Sequence, residues 1–254
     1  AVTFGTTVDS LLAVKYLVFD RKVCSMGDLV AALRDNWEGH EKLQAMALHK
    51  APKYGRDDPE ADAMGRRVME LWTAETWRHR TRCTGRPFRP GMLSWNYWVS
   101  DGFVMAASPD GRPRGRFLSN ALCPSTGADT AGPTANANSV GSVLAGTVEV
   151  DGRMQSWDNL LPNGGSHTMT FSPALVRDAE HREKFKAFLR GYARTGGTAL
   201  QVNMVDAAML RDAQINPESY RHLLVRVTGY NAYFTTVGRE LQNEIIARQA
   251  HALR

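Results

Sequence analysis

The sequence predicts an α/β fold, on three observations. Apolar residues recur at helical spacing through the first eighty positions. Residues 81–171 then turn rich in Gly, Pro, Ser, Thr and Asn, with short apolar runs, the composition of loops and short strands. The last third alternates helical and strand-like segments. The chain has 254 residues, 43% hydrophobic and 22% charged, an ordinary globular composition. Its length leaves one large domain or two small ones open. A net charge of +5 permits an anionic partner without demanding one. No apolar run approaches the ~20 residues of a membrane span, and residues 1–20 lack the pattern of a signal peptide. The three cysteines, Cys24, Cys83 and Cys123, form no CxxC and leave an odd one over, so a reduced, cytoplasmic setting is expected. The chain lacks an initiator Met and is in helical register by Val8; it reads as a segment of a longer protein.

The elements follow in order. Thr7 is the expected cap of the first helix, with Asp9 in its first turn. Val8, Leu11, Leu12, Val18 and Phe19 mark its buried face. A second helix is expected over residues 25–37 and a third within 38–49, stopping before Pro52. Asp58 followed by Pro59 is a strong start signal for a fourth, whose Met64, Val68, Leu71 and Trp72 share one face. Within residues 81–171 the apolar runs 103–107 and 143–150 are short-strand candidates. Trp95, Tyr97, Trp98 and Trp157 argue against disorder there. Residues 173–192 read as a helix and 199–205 as a strand. Period two places Leu200, Val202 and Met204 on one face of that strand, and Gln201, Asn203 and Val205 on the other. Asp206 caps a short helix, Asn216–Pro217 opens another, residues 223–227 form a second strand, and a last helix buries Val237, Leu241 and Ile245.

No Walker loop, GxGxxG, GxSxG, HExxH or paired metal-ligand spacing occurs. The Arg-rich run at residues 78–90 contains only Phe88 as a stacking residue, which argues for a solvated face over a nucleic-acid site. Gln201 and Asn203 are two amides facing one way on an otherwise apolar strand. They either bond neighbouring loops or line a polar substrate cavity. The sharpest feature is RVTGYNAYF at residues 226–234, a strand ending at Gly229 with an aromatic beyond it.

That segment, with GGTALQVNMVDAAMLRDAQ (196–214) before it and GRELQNEIIAR (238–248) after it, resembles the C-terminal portion of the glycyl radical enzymes, the superfamily of pyruvate formate-lyase. WEGHEKLQ…APKYGRDD (37–58), SPDGRPRG (108–115) and PSTGADTAGPTA (124–135) extend the likeness over essentially the whole chain. RPGMLSWNYW (89–98), residues 117–141 and LPNGGSHTMTFSP (161–173) look most like the fumarate-adding branch, typified by the large subunit of benzylsuccinate synthase and its alkylsuccinate relatives. Thr228 before the glycine and Asn231 two after it favour the same branch, since dehydratases and lyases tend to have Ser or Ala and then Ser.

The resemblance implies the C-terminal part of a ten-stranded α/β barrel, two antiparallel five-stranded half-barrels surrounded by helices. Residues 1–170 would belong to the barrel and 171–254 to a glycine radical domain. It further implies that Gly229 carries a stable radical. A separate activating enzyme, using S-adenosylmethionine and an iron–sulfur cluster, would install it, and this chain would bind no cofactor or metal itself. The radical would pass to a cysteine in an upstream part of the same polypeptide; none of the three cysteines here fits that role. The substrates implied are fumarate and a hydrocarbon, toluene-like or an alkane. Small accessory subunits are a further expectation, and neither nucleic acid nor membrane is an expected partner. Other glycyl radical chemistries (diol dehydration, carbon–heteroatom cleavage, a formate acetyltransferase-like reaction) and a non-catalytic spare part are the alternatives. From pattern and neighbourhood, Trp95, Asn96, Tyr97, Trp98, Gln201 and Asn203 are the candidate substrate-contacting residues.

Overall fold

The computed structural model describes residues 3–93, 95–248 and 250–251. Helix α1 (Phe4–Val14) starts earlier than its sequence signals predict. Thr3, not Thr7, precedes it, because a bridge between Thr3 and Ala121 recruits the first turn: the Phe4 N–H donates to the Ala121 carbonyl at 3.1 Å. Asp9 therefore sits in mid-helix, fully buried, accepting the Tyr54 N–H at 2.9 Å. Burial raises its carboxyl to about 6, against the opposing pull of the Lys53 ammonium. The helix continues as a π-turn over Lys15–Asp20, which buries Leu17 and leaves Phe19 62% exposed, contrary to the periodicity.

Helix α2 (Met26–Arg34) opens on a capping box between Ser25 and Asp28, and α3 (Glu41–His49) lies within its expected span. In α4 (Pro59–Arg78) the Asp58 carboxylate accepts the Glu60 and Ala61 N–H groups at 2.9 Å each, with Pro59 at the first position. Its deeply buried side is Ala61, Asp62, Gly65, Met69 and Thr73 rather than the predicted apolar stripe. Leu71 and Trp72 face outward, 63% and 37% exposed. Small residues win that side because neighbouring helices come close: a Cβ on Gly65 would stand 2.8 Å from Val143.

After α5 (Tyr97–Val104), helix α6 (Pro133–Leu144) occupies a stretch expected to be loop and strand. Gly132, at φ +97°, lets the chain enter with Pro133 at the first position. Asn136, Ser139, Val140, Gly141, Val143 and Leu144 are all buried. Phe4, Val8, Leu12, Met69, Val140 and Leu144 form the core shared by α1, α4 and α6. Strands β1 (Gly146–Val150) and β2 (Arg153–Trp157) make an antiparallel hairpin whose two turn residues, Asp151 and Gly152, both take positive φ. Trp157 closes it onto Trp77, ring centroids 5.5 Å apart.

Strand β3 (Ser166–Phe171) is buried throughout and is the centre of the main sheet. Helix α7 (Ala179–Arg194), capped by Asp178 after a short 3-10 turn at Pro173–Val176, connects it to the parallel strand β4 (Ala199–Met204). Register runs from Ser166 opposite Ala199 to Phe171 opposite Met204. Asp206 caps α8 (Ala207–Ile215) as expected. The chain ends in the hairpin β5 (Leu224–Arg226) and β6 (Asn231–Tyr233), helix α9 (Arg239–Ala247), and β7 (Ala250–His251), which pairs parallel with β3 on the side away from β4. The sheet of this portion is thus internally parallel, and its β3 spans the division expected after residue 170. Among the described residues, no helix is long and apolar enough to cross a membrane.

Two measurements check this packing. A Cβ at Gly141 would lie 2.2 Å from the Thr195 carbonyl oxygen, so Gly141→Ala should cost about 1–3 kcal/mol in denaturant unfolding. Asp9 titrates higher in the folded chain than in the unfolded one, so the native state holds the extra proton between the two values. Its burial penalty is complete above about pH 6 and relieved as pH falls toward 4. Against an Asp9→Asn variant, wild type should therefore gain on the order of 3 kcal/mol between pH 7 and pH 4.

Candidate functional site

Gly229 lies at the tip of the β5–β6 hairpin. Arg226 pairs with Asn231, and the Val227 N–H donates to the Tyr230 carbonyl at 3.1 Å, leaving Thr228 and Gly229 as the two loop residues. Thr228 is buried and Gly229 exposed. A Cβ built on Gly229 meets nothing within 4 Å, and the residue is not among the positive-φ glycines. Neither space nor backbone conformation therefore requires a glycine at this position.

The root of the hairpin is held by side chains from distant elements. The Asn203 carboxamide on β4 bonds both polar groups of one backbone residue: Nδ2 donates to the Arg226 carbonyl and Oδ1 accepts the Arg226 N–H, each at 2.7 Å. It stands in for the strand that β5 lacks on that side. From the end of α9, Arg248 donates to the carbonyls of Arg226 (3.1 Å) and Val227 (3.3 Å). Its guanidinium is paired with Glu244, the closest approach being 2.7 Å, and both side chains are buried, 9% and 3% exposed. On the inner side, Val225, Val227 and Phe234 pack with Leu241 and Ile245 of α9 and with Trp98 of α5.

The other candidates fall into place around this frame. Asn96 reaches the hairpin, its Nδ2 donating to the Tyr230 hydroxyl at 3.1 Å. Trp98 is fully buried beneath the hairpin, a core residue rather than part of an open apolar wall; the i+3 spacing to Asp101 and Val104 does not reveal which side of so short a helix is inward. Trp95 is 59% exposed and faces away into a groove of about 610 Å³ with Trp72, Phe88 and Leu93, while Tyr97 is also exposed. Gln201 does not touch the hairpin: its Oε1 accepts the Thr168 hydroxyl at 3.2 Å, and that hydroxyl in turn accepts from Asn120. On β4 the amide-bearing face is thus the more buried one, its amides satisfied by neighbours.

Behind the hairpin a small polar cavity of about 40 Å³ is bordered by Cys123, Thr168, Thr170, Glu244, Arg248 and His251. His251 Nε2 lies 2.9 Å from Asp129. Burial pushes the Cys123 thiol up to about 12, so it stays protonated, its sulfur accepting the Thr168 N–H at 3.2 Å. Burial likewise drops His167 to about 3, leaving a neutral imidazole against the Tyr192 hydroxyl. No group of three or more potential metal ligands occurs among the described residues. The sequence-predicted radical site, Gly229, thus stands at the tip of a hairpin fixed at its root.

Glu244 and Arg248 were not singled out from sequence, although a signal exists. Leu241, Glu244, Ile245 and Arg248 fall at i, i+3, i+4 and i+7, so two charges lie on the apolar stripe of α9.

Comparison with known proteins agrees with this fold. The family model described as pyruvate formate lyase-like matches residues 1–100, and the one described as glycine radical matches residues 118–235. The chain is 34% identical over 247 residues to trans-4-hydroxy-L-proline dehydratase of Clostridioides difficile, covering 97% of this chain and 29% of that protein. It is 35% identical to an isethionate sulfite-lyase of Nitratidesulfovibrio vulgaris, covering 98% and 28%. The crystal structure of the hydroxyproline dehydratase superposes with a TM-score of 0.88 over 98% of this chain and 30% of that one. The fold is that of an α/β barrel portion which presents a glycine on a clamped hairpin. The chain belongs to the glycyl radical enzymes of the pyruvate formate-lyase superfamily, and it spans about 30% of the length of the relatives it matches. These relatives are dehydratases and lyases, which corrects the weight given to Thr228 and Asn231 as marks of the fumarate-adding branch: two exposed or loop positions identify a branch less well than similarity along the whole chain.

Removing the Asn203 carboxamide leaves both polar groups of Arg226 without that partner. Asn203→Ala should therefore destabilise the hairpin by about 1–3 kcal/mol, seen as faster hydrogen exchange at the Arg226 amide while β3 amides stay protected.

Proposed function

We propose that this chain is the radical-bearing part of a longer glycyl radical enzyme of the lyase type, one that breaks a carbon–oxygen or carbon–sulfur bond. The observation that carries the reading is Gly229 itself, open at the tip of a hairpin whose root is fixed. Loss of one hydrogen atom from its α-carbon leaves a radical between an electron-donating amide nitrogen and an electron-withdrawing carbonyl. Spreading that electron over both amides needs a planar centre, and a Cβ would crowd it. In this reading the chemistry requires the glycine, and no contact within this portion of the protein does.

A radical S-adenosylmethionine activating enzyme supplies the initiating chemistry in this reading. The stored radical then moves to a cysteine of the remaining polypeptide, which takes a hydrogen atom from the substrate and returns it after the bond is broken. Cys123 does not fill that role in this reading, its sulfur being engaged with the backbone of β3, where it accepts the Thr168 N–H. Asn96, beside Tyr230, is the best placed of the candidate contacts to meet a substrate near the radical. Trp98 acts by supporting the hairpin from below.

Addition of a hydrocarbon to fumarate is the second reading. Thr228, Asn231 and the segments 89–98, 117–141 and 161–173 favour it. One experiment separates the two. The complete polypeptide, activated without oxygen, is offered trans-4-hydroxy-L-proline, isethionate and a vicinal diol, and separately fumarate with toluene or an alkane. Dehydrated or desulfonated products support the lyase reading, and a substituted succinate supports the second. In either case a glycine-centred paramagnetic signal should appear and vanish in Gly229→Ala, which should fold normally. Air should then cut the wild-type backbone at residue 229 and release a short C-terminal peptide.

A further inference from the structure

Within this portion of the protein nothing stands where a Cβ on Gly229 would, while the backbone leading into it is gripped at the root of the hairpin. Two groups fix that root. Asn203 holds Arg226 from β4. The guanidinium of Arg248 holds two consecutive carbonyls, those of Arg226 and Val227, three and two residues before the glycine. The Arg226 carbonyl accepts from both, which fills the two lone pairs a carbonyl oxygen offers.

A charge in this place demands an explanation. Burying an ion pair costs several kcal/mol per ion, and the loss is offset only where geometry is good and the remaining donors are used. Here Nε and Nη2 of Arg248 face both oxygens of Glu244, at 2.7–3.1 Å, while Nη1 donates to the Arg226 carbonyl and Nη2 also to that of Val227. Apolar side chains at both 244 and 248 would extend the stripe of Leu241 and Ile245 with no charge to bury. What those side chains would not do is grip the backbone leading into the loop.

We infer that Arg248, oriented by Glu244, is a positioning residue for the radical: it sets where the Gly229 α-carbon stands relative to the group that exchanges hydrogen with it. The inference rests on the reading of Gly229 as the radical site. Hydrogen-atom transfer is sensitive to placement, and a displacement of about 1 Å costs on the order of a hundredfold in rate.

The test uses the complete enzyme, activated anaerobically, as wild type, Arg248→Gln, Arg248→Lys and Glu244→Gln. Radical per polypeptide, turnover and hydrogen exchange are followed together. Arg248→Gln should accept the radical in wild-type amount yet turn over about a hundredfold more slowly at unchanged KM, with exchange accelerated in residues 224–233 alone. Arg248→Lys, able to hold one carbonyl, should recover part of the rate. Wild-type turnover per radical in Arg248→Gln would overturn the inference. So would a loss of rate accompanied by exchange that quickens equally across β3 and β4, which marks a general structural role. Should Arg248→Gln not fold, Glu244→Gln decides by the same readouts. A wild-type enzyme that takes up no radical refutes the reading of Gly229, while exchange in the hairpin still reports whether Arg248 clamps it.

Discussion

Two strands of three residues each do not hold a hairpin in shape in water, and everything argued for Gly229 depends on that hairpin being held. The constraint is met by pairing its outward backbone groups with side chains. Asn203 and Arg248 come from residues 23 and 22 positions away from Arg226, one on the main sheet and one at the end of the last helix. The hairpin is therefore a polar attachment to a parallel sheet and not a continuation of it. Beneath it, Val225, Val227, Phe234 and Trp98 supply the apolar contact that an isolated hairpin lacks. The sheet itself is anchored by β3, buried on every residue, with Ala137 of α6 and Phe188 and Tyr192 of α7 clustered with its Met169 and Phe171.

Sequence reading reached the elements that local chemistry dictates. Asp58 and Asp206 cap the helices they were expected to cap, and Ser25 caps the one expected to start at residue 25, because an N-cap acts on N–H groups two or three residues away. The strand at 199–204, its polar face and the glycine motif were legible for the same reason. Thr7 failed as a cap because a pairing with Ala121, more than a hundred residues distant, begins the helix sooner. Helix α6 was hidden by its own composition: Asn, Ser, Gly and Thr are poor intrinsic helix formers, and burial from both sides overrides them. The outward turn of Leu71 and Trp72 has a similar origin, since close approach at Gly65 decides which side of α4 faces in.

The site shows the same division between local and distant causes. Gly229 was identified from its neighbours in sequence, whereas the clamp that holds it joins three segments that no local pattern connects. Gln201 and Asn203 appeared equivalent on one strand face, yet a single step of the ladder sends one to Thr168 and the other to Arg226. The reactive chemistry of the family is thus concentrated in a short motif, while the branch within the family is spread over the whole chain.

The setting of Gly229 separates two demands that usually fall on one residue. Within this portion no neighbour stands where a Cβ would, so the shape of the hairpin does not hinge on what occupies its tip. The grip of Asn203 and Arg248 falls on backbone groups before the glycine, and it would outlast a change of side chain there.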